Sequence, residues 1–373
     1  MSFLLHRRVL RRRVLRKRVL ASGAVLAAAA VTASPAGAGR ALADGACFDR
    51  ATRPSTSVVD GHLHFRPFGG RAIPFDEVTA YLRESGVRYA NVFGIGQKLP
   101  ADSDCTYYLD CPGTPVLPSV KNDIVNGESY VESRPTDPHL TLSMTSLDVA
   151  NPETVPQQIA LYDKEFPGLF RWAGEVNLIK GALLPNHHEP ATVGDIANWA
   201  PFMRELERRG IPLTVHADLG TDAAPTKYLH LFREVLTRYP RNKIVWAHMG
   251  LSKELSAMDP ARHIAIVRSL LRRHPRLTLD LSWRVLEDQY FSRPGVRERY
   301  AALLDDHPTR AIPGTDFVAS RDKDYAVYKE ELEVTSRINK ALGDEAFRGI
   351  ALGENYFRLL GLKAEAPKIC TRK

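Results

Sequence analysis

The sequence predicts an α/β protein in which eight parallel strands, each followed by a helix, close into a single-domain (β/α)8 TIM barrel. Apolar, β-branched runs alternate with amphipathic helical runs, and this alternation occurs eight times along the chain. The segment Asp60–His64 lacks the glycine-rich loop that would follow the first strand of a doubly wound open sheet. Of the 373 residues, 44% are hydrophobic and 25% are charged, which excludes a collagen-like, coiled-coil or wholly disordered chain.

Each strand is predicted from a short apolar run rich in β-branched residues. The eight predicted strands are 56–65, 88–96, 140–148, 170–179, 211–218, 243–250, 277–283 and 310–317. Between them, the 3.6-residue period of an amphipathic helix is clear over 75–85, 193–209, 226–239, 261–274 and 296–306. Glycine or proline follows several of these helices, as at Gly86, Gly210 and Pro275, and marks where they end.

One connection is too long for a simple loop. Residues 97–139, after the second strand, contain Cys105, Cys111 and several prolines, and they show little helical period. Segments of this length are usually functional or disordered. Because the loop after a barrel strand emerges at the C-terminal face, we predict that this insertion forms a lid over the site. A disulfide-stapled insertion with no part in catalysis is the alternative.

The first 43 residues are predicted to form a secretory signal peptide. They hold nine Lys and Arg but no Asp or Glu, and an apolar run over 19–33 follows the basic region. Small residues predict cleavage after Ala38 or Ala43, and residues 11–16 resemble the twin-arginine pattern, with Val14 where Phe is usual. We therefore expect the export machinery to deliver the protein to the periplasm or the medium. A basic tail that stays in the cytosol is the alternative.

Removal of this leader changes the charge balance. The formal net charge of +8 comes from 51 basic and 43 acidic residues, and the leader holds nine of the basic ones. The remainder is close to neutral, so nothing supports nucleic-acid binding. No later apolar stretch is long enough to span a bilayer, and no stable membrane anchor is expected. The remaining predicted regions are a lead-in at 44–55, the barrel at 56–365 and a tail at 366–373.

The chain has four cysteines, and none belongs to a C-x-x-C pair. An even number of cysteines in an exported protein indicates disulfides, and four cysteines permit three pairings. We favour Cys105–Cys111 as a local staple of the insertion and Cys47–Cys370 as a link between the two ends of the domain.

Histidine and acidic residues recur at the ends of the predicted strands. Residues i and i+2 of a strand point the same way, so His62 and His64 are expected to share one ion. Imidazoles with a carboxylate suit a divalent metal, above all Zn²⁺, and also Mn²⁺, Fe²⁺ or Co²⁺. A lone histidine at a strand end is usually structural, but an ordered set of this kind predicts a metal site. The set is His62, His64, Glu175, His216, His248 and Asp316.

Other polar residues are weaker candidates. His187 and His188 follow the fourth strand and are candidate substrate contacts. Asp218 and Asp280 either orient a ligand histidine or act as hydrogen-bond acceptors at the barrel rim. Histidines in or just after helices are predicted to be surface or packing residues; these are His230, His263, His274 and His307.

The segment Val58–His64 resembles the first-strand motif of the amidohydrolase superfamily of metal-dependent barrels. The resemblance continues through Val215–His216, Ala247–His248 and Gly314–Asp316, and residues 350–362 are similar to the last helix of the amidohydrolase-related branch. It spans about residues 56–362 and is least close in the 97–139 insertion. That branch includes hydrolases and non-oxidative decarboxylases.

This resemblance implies one catalytic metal, with His248 left free to polarise a substrate carbonyl. The implied ligands are His62, His64, His216 and Asp316. Two-metal members of the superfamily place a bridging carboxylate on the fourth strand. Glu175 falls there, and His216 and His248 would then hold a second ion.

The function implied is hydrolysis of an amide, ester or lactone of a small molecule by metal-activated water. Asp316 would bind the metal and move the proton, while His248 would help to stabilise the oxyanion. A decarboxylase using the same ligands is the alternative, with Arg284 or Arg321 as a clamp for the substrate carboxylate. A non-catalytic metal- or ligand-binding barrel is a further alternative, and assembly into a homo-oligomer is left open.

Overall fold

The computed structural model of the protein describes residues 47–371, so the predicted leader with its cleavage sites lies outside the described residues. Strands and helices alternate along this part of the chain. The strands are β1 (Val59–His64), β2 (Tyr89–Phe93), β3 (Gln97–Lys98), β4 (Leu117–Pro118), β5 (His139–Met144), β6 (Phe170–Ile179), β7 (Leu213–Ala217), β8 (Ile244–Trp246), β9 (Leu277–Asp280), β10 (Ala311–Ile312) and β11 (Phe317–Val318). The helices are α1 (Phe75–Glu84), α2 (Lys121–Ser133), α3 (Val155–Glu165), α4 (Val193–Ala197), α5 (Ala200–Arg209), α6 (Leu229–Arg238), α7 (Pro260–Arg273), α8 (Val296–Asp305), α9 (Tyr325–Thr335), α10 (Asp344–Ile350) and α11 (Glu354–Leu360).

One nine-stranded sheet forms the centre of the molecule. Its strand order is β10-β9-β8-β7-β6-β5-β2-β1-β11, and every neighbouring pair is parallel. All eight predicted strands are found, the eighth as two short pieces, β10 and β11. None of the helices within residues 47–371 combines the length and the apolar character needed to cross a membrane.

The two ends of the sheet belong to one interrupted strand. β10 pairs with β9 and β11 pairs with β1, although only residues 313–316 separate them. The Leu281 N–H donates to the Ile312 carbonyl at 3.0 Å on one side, and the Gly61 N–H donates to the Pro313 carbonyl at 2.9 Å on the other. The sheet therefore curls round on itself as in a TIM barrel.

The interruption lies where the strand passes between β1 and β9. Pro313 has no N–H to donate, and Asp316 has a left-handed φ of 59°, so a regular strand cannot continue through this segment. A Cβ on Gly314 would lie 2.8 Å from the Cβ of His62 and 2.9 Å from that of Ser282. Only glycine allows the backbone to approach both neighbours so closely.

The faces of each strand follow from its position between the helices and the barrel interior. All six residues of β1 are buried, as expected of a parallel strand that is covered on both sides. Leu63 belongs to a cluster with Val78 and Leu82 of α1. Its neighbours His62 and His64 point the opposite way, into the barrel, because side chains alternate along a strand.

The helix predicted over 193–209 is instead two helices. Thr192 caps α4 through a reciprocal pair of hydrogen bonds with Asp195. The chain then bends at Asn198 and Trp199, and Pro201 lies in the first turn of α5. Proline lacks the N–H that a continuous helix would need there, whereas it is well tolerated in a first turn.

The predicted 97–139 insertion contains more regular structure than expected. The prediction of little helix is wrong over α2. The helix has no apolar stripe to reveal it in the sequence, because the residues that it buries are Asp123, Asn126 and Gly127. A Cβ on Gly127 would lie 2.9 Å from the Phe166 ring, so the helix packs closely there. The irregular parts are residues 97–120, in which β3 and β4 form a short antiparallel pair, and residues 134–138.

Both favoured disulfides are present. Cys105 and Cys111 are bonded with their Cα atoms 6.0 Å apart, and Cys47 and Cys370 with theirs 4.9 Å apart. Beside the second pair, the Phe48 N–H donates to the Lys368 carbonyl at 2.7 Å. The two ends of the described chain are therefore held together by covalent and hydrogen bonds.

Candidate metal centre

Three of the predicted ligands converge at the C-terminal ends of the strands. The Nε2 atoms of His62 and His64, both on β1, lie 3.5 and 3.3 Å from Oδ1 of Asp316. Asp316 follows the interruption of the eighth strand. Buried Asp60 accepts hydrogen bonds from the N–H and hydroxyl of Thr315 at 2.9 and 2.8 Å, and this fixes the segment that carries Asp316.

Each of three histidines has its Nδ1 atom occupied. Nδ1 of His62 is 2.5 Å from Oδ2 of Asp280, and Nδ1 of His64 donates to the Gly94 carbonyl. Nδ1 of His248 lies 3.2 Å from the carbonyl oxygen of Ser282. Such contacts fix the tautomer and the ring orientation of metal-binding histidines, and they leave the Nε2 lone pairs facing the site.

The Nε2 atom of His62 is buried and has no hydrogen-bond partner within residues 47–371. A buried polar atom without a partner carries a free-energy penalty, and an ion would remove it. Two roles are predicted for Asp280: to orient a ligand histidine, or to accept a hydrogen bond at the barrel rim. Its contact with the candidate ligand His62 matches the first role. These residues therefore fit a divalent cation in both donor type and orientation.

Glu175, on β6, lies between two groups of histidines. Its Oε2 is 3.8 Å from Nε2 of His64, while its Oε1 contacts Nδ1 of His216 and lies 3.6 Å from Nε2 of His248. His216 is held on its other side by Asp218, 2.9 Å from Nε2. The predicted four-ligand set is thus divided: His62, His64 and Asp316 meet directly, whereas His216 lies with Glu175 and His248.

Three overlapping triplets have ligand atoms that all lie within 4.8 Å of one another. The triplets are His62–His64–Glu175, His62–His248–Asp316 and Glu175–His216–His248. Because Glu175 belongs to two of them, the geometry offers either one ion or two ions on a shared carboxylate.

The electric field of the site favours positive charge. Burial and the Lys180 ammonium lower the pKa of His216, but the carboxylates of Asp218 and Glu175 outweigh them and raise it to about 9. Burial also lowers the pKa of His64, and the carboxylate of Asp316 reverses this effect. Burial raises the pKa of Asp316, yet the surrounding histidines hold it below its usual range. A cation at this position would take the place of these protons.

A left-handed turn presents His248. His248 and Met249 have φ of 52° and 53°, and Gly250 has φ of 72°. Buried His263, on α7, lies 3.0 Å from the Met249 carbonyl through Nε2 and 2.7 Å from the Tyr300 hydroxyl through Nδ1. Residues with left-handed φ persist where their surroundings hold them, and here His263 provides one of those contacts.

The site opens into a cavity of about 460 Å³. Its wall combines the polar centre with the aromatic side chains of Phe68, Tyr108 and Trp283. Tyr108 lies on residues 97–120, the segment stapled by the Cys105–Cys111 disulfide, and packs on Phe68 with ring centroids 4.1 Å apart. That segment also contacts the loop after β6, where the Gly113 N–H donates to the Pro185 carbonyl at 2.7 Å.

Lys180 is a site residue that sequence reasoning missed. It follows β6 directly, and its Nζ lies 3.2 Å from Oε2 of Glu175. Its side chain is 22% exposed and lines the cavity. The signal available was its place immediately after a barrel strand, where active-site residues lie in this fold. A lysine at a strand end is so often a solvated residue that this position alone did not identify it.

The remaining candidates lie at the edge of the site or away from it. Arg284 lines the cavity but ion-pairs with Asp288 at 2.8 Å, and Arg321 pairs with Glu77 at 3.1 Å. His187 lies 3.0 Å from the Gly113 carbonyl and so contacts the stapled segment, and burial lowers the pKa of His188 to about 4. His230 is exposed, His274 and His307 are half-buried, and His263 is buried as described above.

Comparison with known proteins identifies the family. The sequence model of the amidohydrolase family matches residues 59–362. No curated protein matches the chain. An amidohydrolase from Burkholderia multivorans with bound zinc is 15% identical and covers 82% of this chain and 99% of its own, with a TM-score of 0.53. A dihydroorotase from Campylobacter jejuni is 14% identical over 83% of this chain and 84% of its own, with a TM-score of 0.45. The first of these structures supports the barrel-like fold, and the family match over most of the sequence shows that the chain belongs to the amidohydrolase family.

Proposed function

We propose that this protein is an exported, metal-dependent hydrolase that cleaves an amide, ester or lactone bond of a small molecule. The observation that carries the proposal is the buried Nε2 of His62, which lies 3.5 Å from Oδ1 of Asp316 and has no hydrogen-bond partner among the described residues. The large majority of buried polar side-chain atoms with a purely structural role are hydrogen-bonded.

His62, His64 and Asp316 would hold the metal, with Glu175 completing its coordination. A bound divalent ion would act as a Lewis acid and make water nucleophilic near neutral pH. Zn²⁺ suits these nitrogen and oxygen donors best, and Mn²⁺, Fe²⁺ or Co²⁺ would also fit.

The side chains themselves divide the remaining work. Asp316 would accept the proton of the attacking water and return it to the leaving group. His248 would stabilise the negative charge that develops on the substrate carbonyl oxygen. The stapled segment with Tyr108 would cover the substrate and exclude bulk water. Arg284 and Arg321, the predicted clamp for a substrate carboxylate, are instead paired with Asp288 and Glu77, so neither of them favours the decarboxylase alternative.

Export is supported by the composition of residues 1–43 and by the two disulfides, which persist in oxidising compartments. In this proposal the leader ends at Ala38 or Ala43, and the barrel occupies residues 56–365 between a short lead-in and tail.

The proposal is tested by measuring metal content and product together. The purified full chain is incubated with a panel of lactones, esters and amides, and both acid release and CO₂ are recorded. A new carboxyl group that appears on the product only when the protein is loaded with metal supports the hydrolase. CO₂ release would instead establish the decarboxylase, and a chain that takes up no metal would contradict the proposal. His230→Ala, at an exposed position on α6, is the matched control for His62→Ala.

A further inference from the structure

We infer that Glu254, in the loop after β8, binds a positively charged amino group of the substrate in the wall of the cavity. The inference rests on the proposed function and deepens it, because it assigns a substrate class to the same cavity. It concerns residues that neither hold the metal nor act on the bond that is cleaved.

The wall of this cavity contains buried side-chain oxygens that lack hydrogen-bond partners. Within residues 47–371, these atoms are Oδ1 of Asn177, Oγ of Ser252, Oε2 of Glu254 and Oε1 of Gln289. A buried oxygen without a partner carries a free-energy penalty, which a hydrogen-bond donor would remove. Each of these atoms can accept a hydrogen bond, so the wall suits a substrate that brings donors into the cavity.

Glu254 is the member of this set that carries a charge, and its carboxylate lies close to that of Asp218. A Cβ on Gly181 would be 3.4 Å from Oε2 of Glu254 and 3.2 Å from Oδ2 of Asp218. Both carboxylates therefore border the position where a side chain of residue 181 would begin. The glycine leaves room beside them for a group of the substrate.

The two carboxylates differ in their partners. Asp218 lies 2.9 Å from Nε2 of His216 through Oδ1, and its Oδ2 accepts a hydrogen bond from the Gly181 N–H at 2.6 Å. Oε2 of Glu254 has no such contact in the described part of the chain. Asp218 is thus committed to the candidate metal centre, whereas Glu254 is available to a ligand.

Two lysines adjoin this region in the sequence, but their side chains have other contacts. Nζ of Lys180 is 3.2 Å from Oε2 of Glu175, and Nζ of Lys253 lies 5.9 Å from the centre of the Trp283 ring. A substrate amino group would supply the cation that Glu254 lacks. An ammonium offers three hydrogens and accepts none, and its hydrogen bonds to a carboxylate are charge-assisted.

Ser252 supports the inference independently of the acidic residues. It is only 1% exposed, it lies two residues before Glu254 on the same cavity wall, and its Oγ is one of the oxygens without a partner. A hydroxyl oxygen can accept a second hydrogen of an ammonium that Glu254 binds. The competing explanation is that these oxygens bind only ordered water.

The first test is isothermal titration calorimetry of the full chain near neutral pH, with butylammonium chloride and with butanol as the uncharged probe. A chelator is present so that the amine cannot bind a metal. Wild type is expected to bind the ammonium at least about tenfold more tightly than the alcohol, and Glu254→Gln should lose this preference. Glu331→Gln is the matched control, because it removes a carboxylate of the same cavity that already pairs with Arg284 at 3.6 Å.

The second test extends the comparison to the proposed reaction. The substrates are methyl esters of straight-chain acids, in several lengths, whose far end carries either an amino or a hydroxyl group. In the metal-loaded wild type, kcat/KM is expected to be higher for the amino esters. The ratio of kcat/KM for amino over hydroxyl esters should fall by at least about tenfold in Glu254→Gln, fall also in Ser252→Ala, and stay the same in Glu331→Gln.

Circular dichroism checks that each variant is folded, and Ser252→Ala keeps the inference testable if Glu254→Gln is not. Equal affinity of the wild type for the ammonium and the alcohol would overturn the inference alone, and so would an unchanged preference in Glu254→Gln. If the metal-loaded protein hydrolysed no ester, the result would count against the proposed function, whereas the calorimetry would still decide whether Glu254 binds an amino group.

Discussion

Lowering the pH from 7 to 4 is expected to destabilise the folded protein through one buried histidine, His263. Its side chain is fully buried, with Nδ1 2.7 Å from the Tyr300 hydroxyl and Nε2 3.0 Å from the Met249 carbonyl. Neutral imidazole satisfies both contacts, by accepting from the hydroxyl and donating to the carbonyl. Protonation would turn the acceptor into a donor and would place a charge in an apolar environment.

Burial lowers the pKa of His263 from 6.5 to about 4. A histidine whose pKa is lower in the folded state binds fewer protons there than in the unfolded state, so the stability it contributes is present above pH 6.5 and is lost as the pH falls towards 4. A shift of about 2.5 pH units at 1.36 kcal/mol each corresponds to a loss of about 3 kcal/mol in the free energy of unfolding.

The assay is urea unfolding, followed by circular dichroism at several pH values between 7 and 4 with a chelator present, so that metal release does not contribute. The free energy of unfolding of His263→Gln is subtracted from that of the wild type at each pH. The difference is expected to fall by about 3 kcal/mol over this range. His230→Gln, on the surface, should show no such change. Parallel pH profiles for the wild type and His263→Gln would refute the argument.

Three further predictions concern the metal site, the barrel closure and the disulfides. His62→Ala should lower metal affinity by more than about tenfold, whereas His248→Ala should keep the metal and lose about 10²–10³ in turnover, as elemental analysis and kinetics would show. Gly314→Ala should lower the free energy of unfolding by about 1–3 kcal/mol in urea, because its Cβ would meet that of His62 at 2.8 Å. Replacing the Cys47–Cys370 pair by serine should cost about 3–4 kcal/mol more than replacing Cys105–Cys111, since the sequence separations are 323 and 6.

Each of these has a contrary outcome. Full activity in both histidine variants would remove His62 and His248 from the proposed site. Gly194→Ala is the control for Gly314→Ala, because the nearest atom to its added Cβ lies at 3.4 Å and alanine suits its helix, so similar losses in both would contradict the close-approach argument. Equal costs for the two disulfide replacements would contradict an effect that depends on loop length.

The strands and the site-bearing positions could be predicted because they depend on local pattern. A buried parallel strand is a nearly continuous apolar run, so histidines and acids within such a run stand out. The two histidines of β1 at i and i+2 could be assigned to one side of the strand before any tertiary contact was known. The convergence of His62, His64 and Asp316 then follows from the barrel.

The features that were missed depend on contacts between distant segments. Helix α2 was not predicted because the face that it buries is polar and so has no apolar period. On that face, Asp123 accepts hydrogen bonds from the N–H groups of Thr145 and Ser146. The pairing of Lys180 with Glu175 depends on how the chain leaves β6. The division of His216 from His62 and His64 likewise depends on side-chain directions at separate strand ends, which a periodic pattern does not encode.

The bond between Cys47 and Cys370 makes the described chain a covalent ring. Every residue between the two cysteines would therefore stay attached even if the backbone were cut once between them. A peptide joining the two ends would need to span little more than the 4.9 Å between these Cα atoms. New termini could then be opened in an exposed loop, and circular permutants should keep the same barrel.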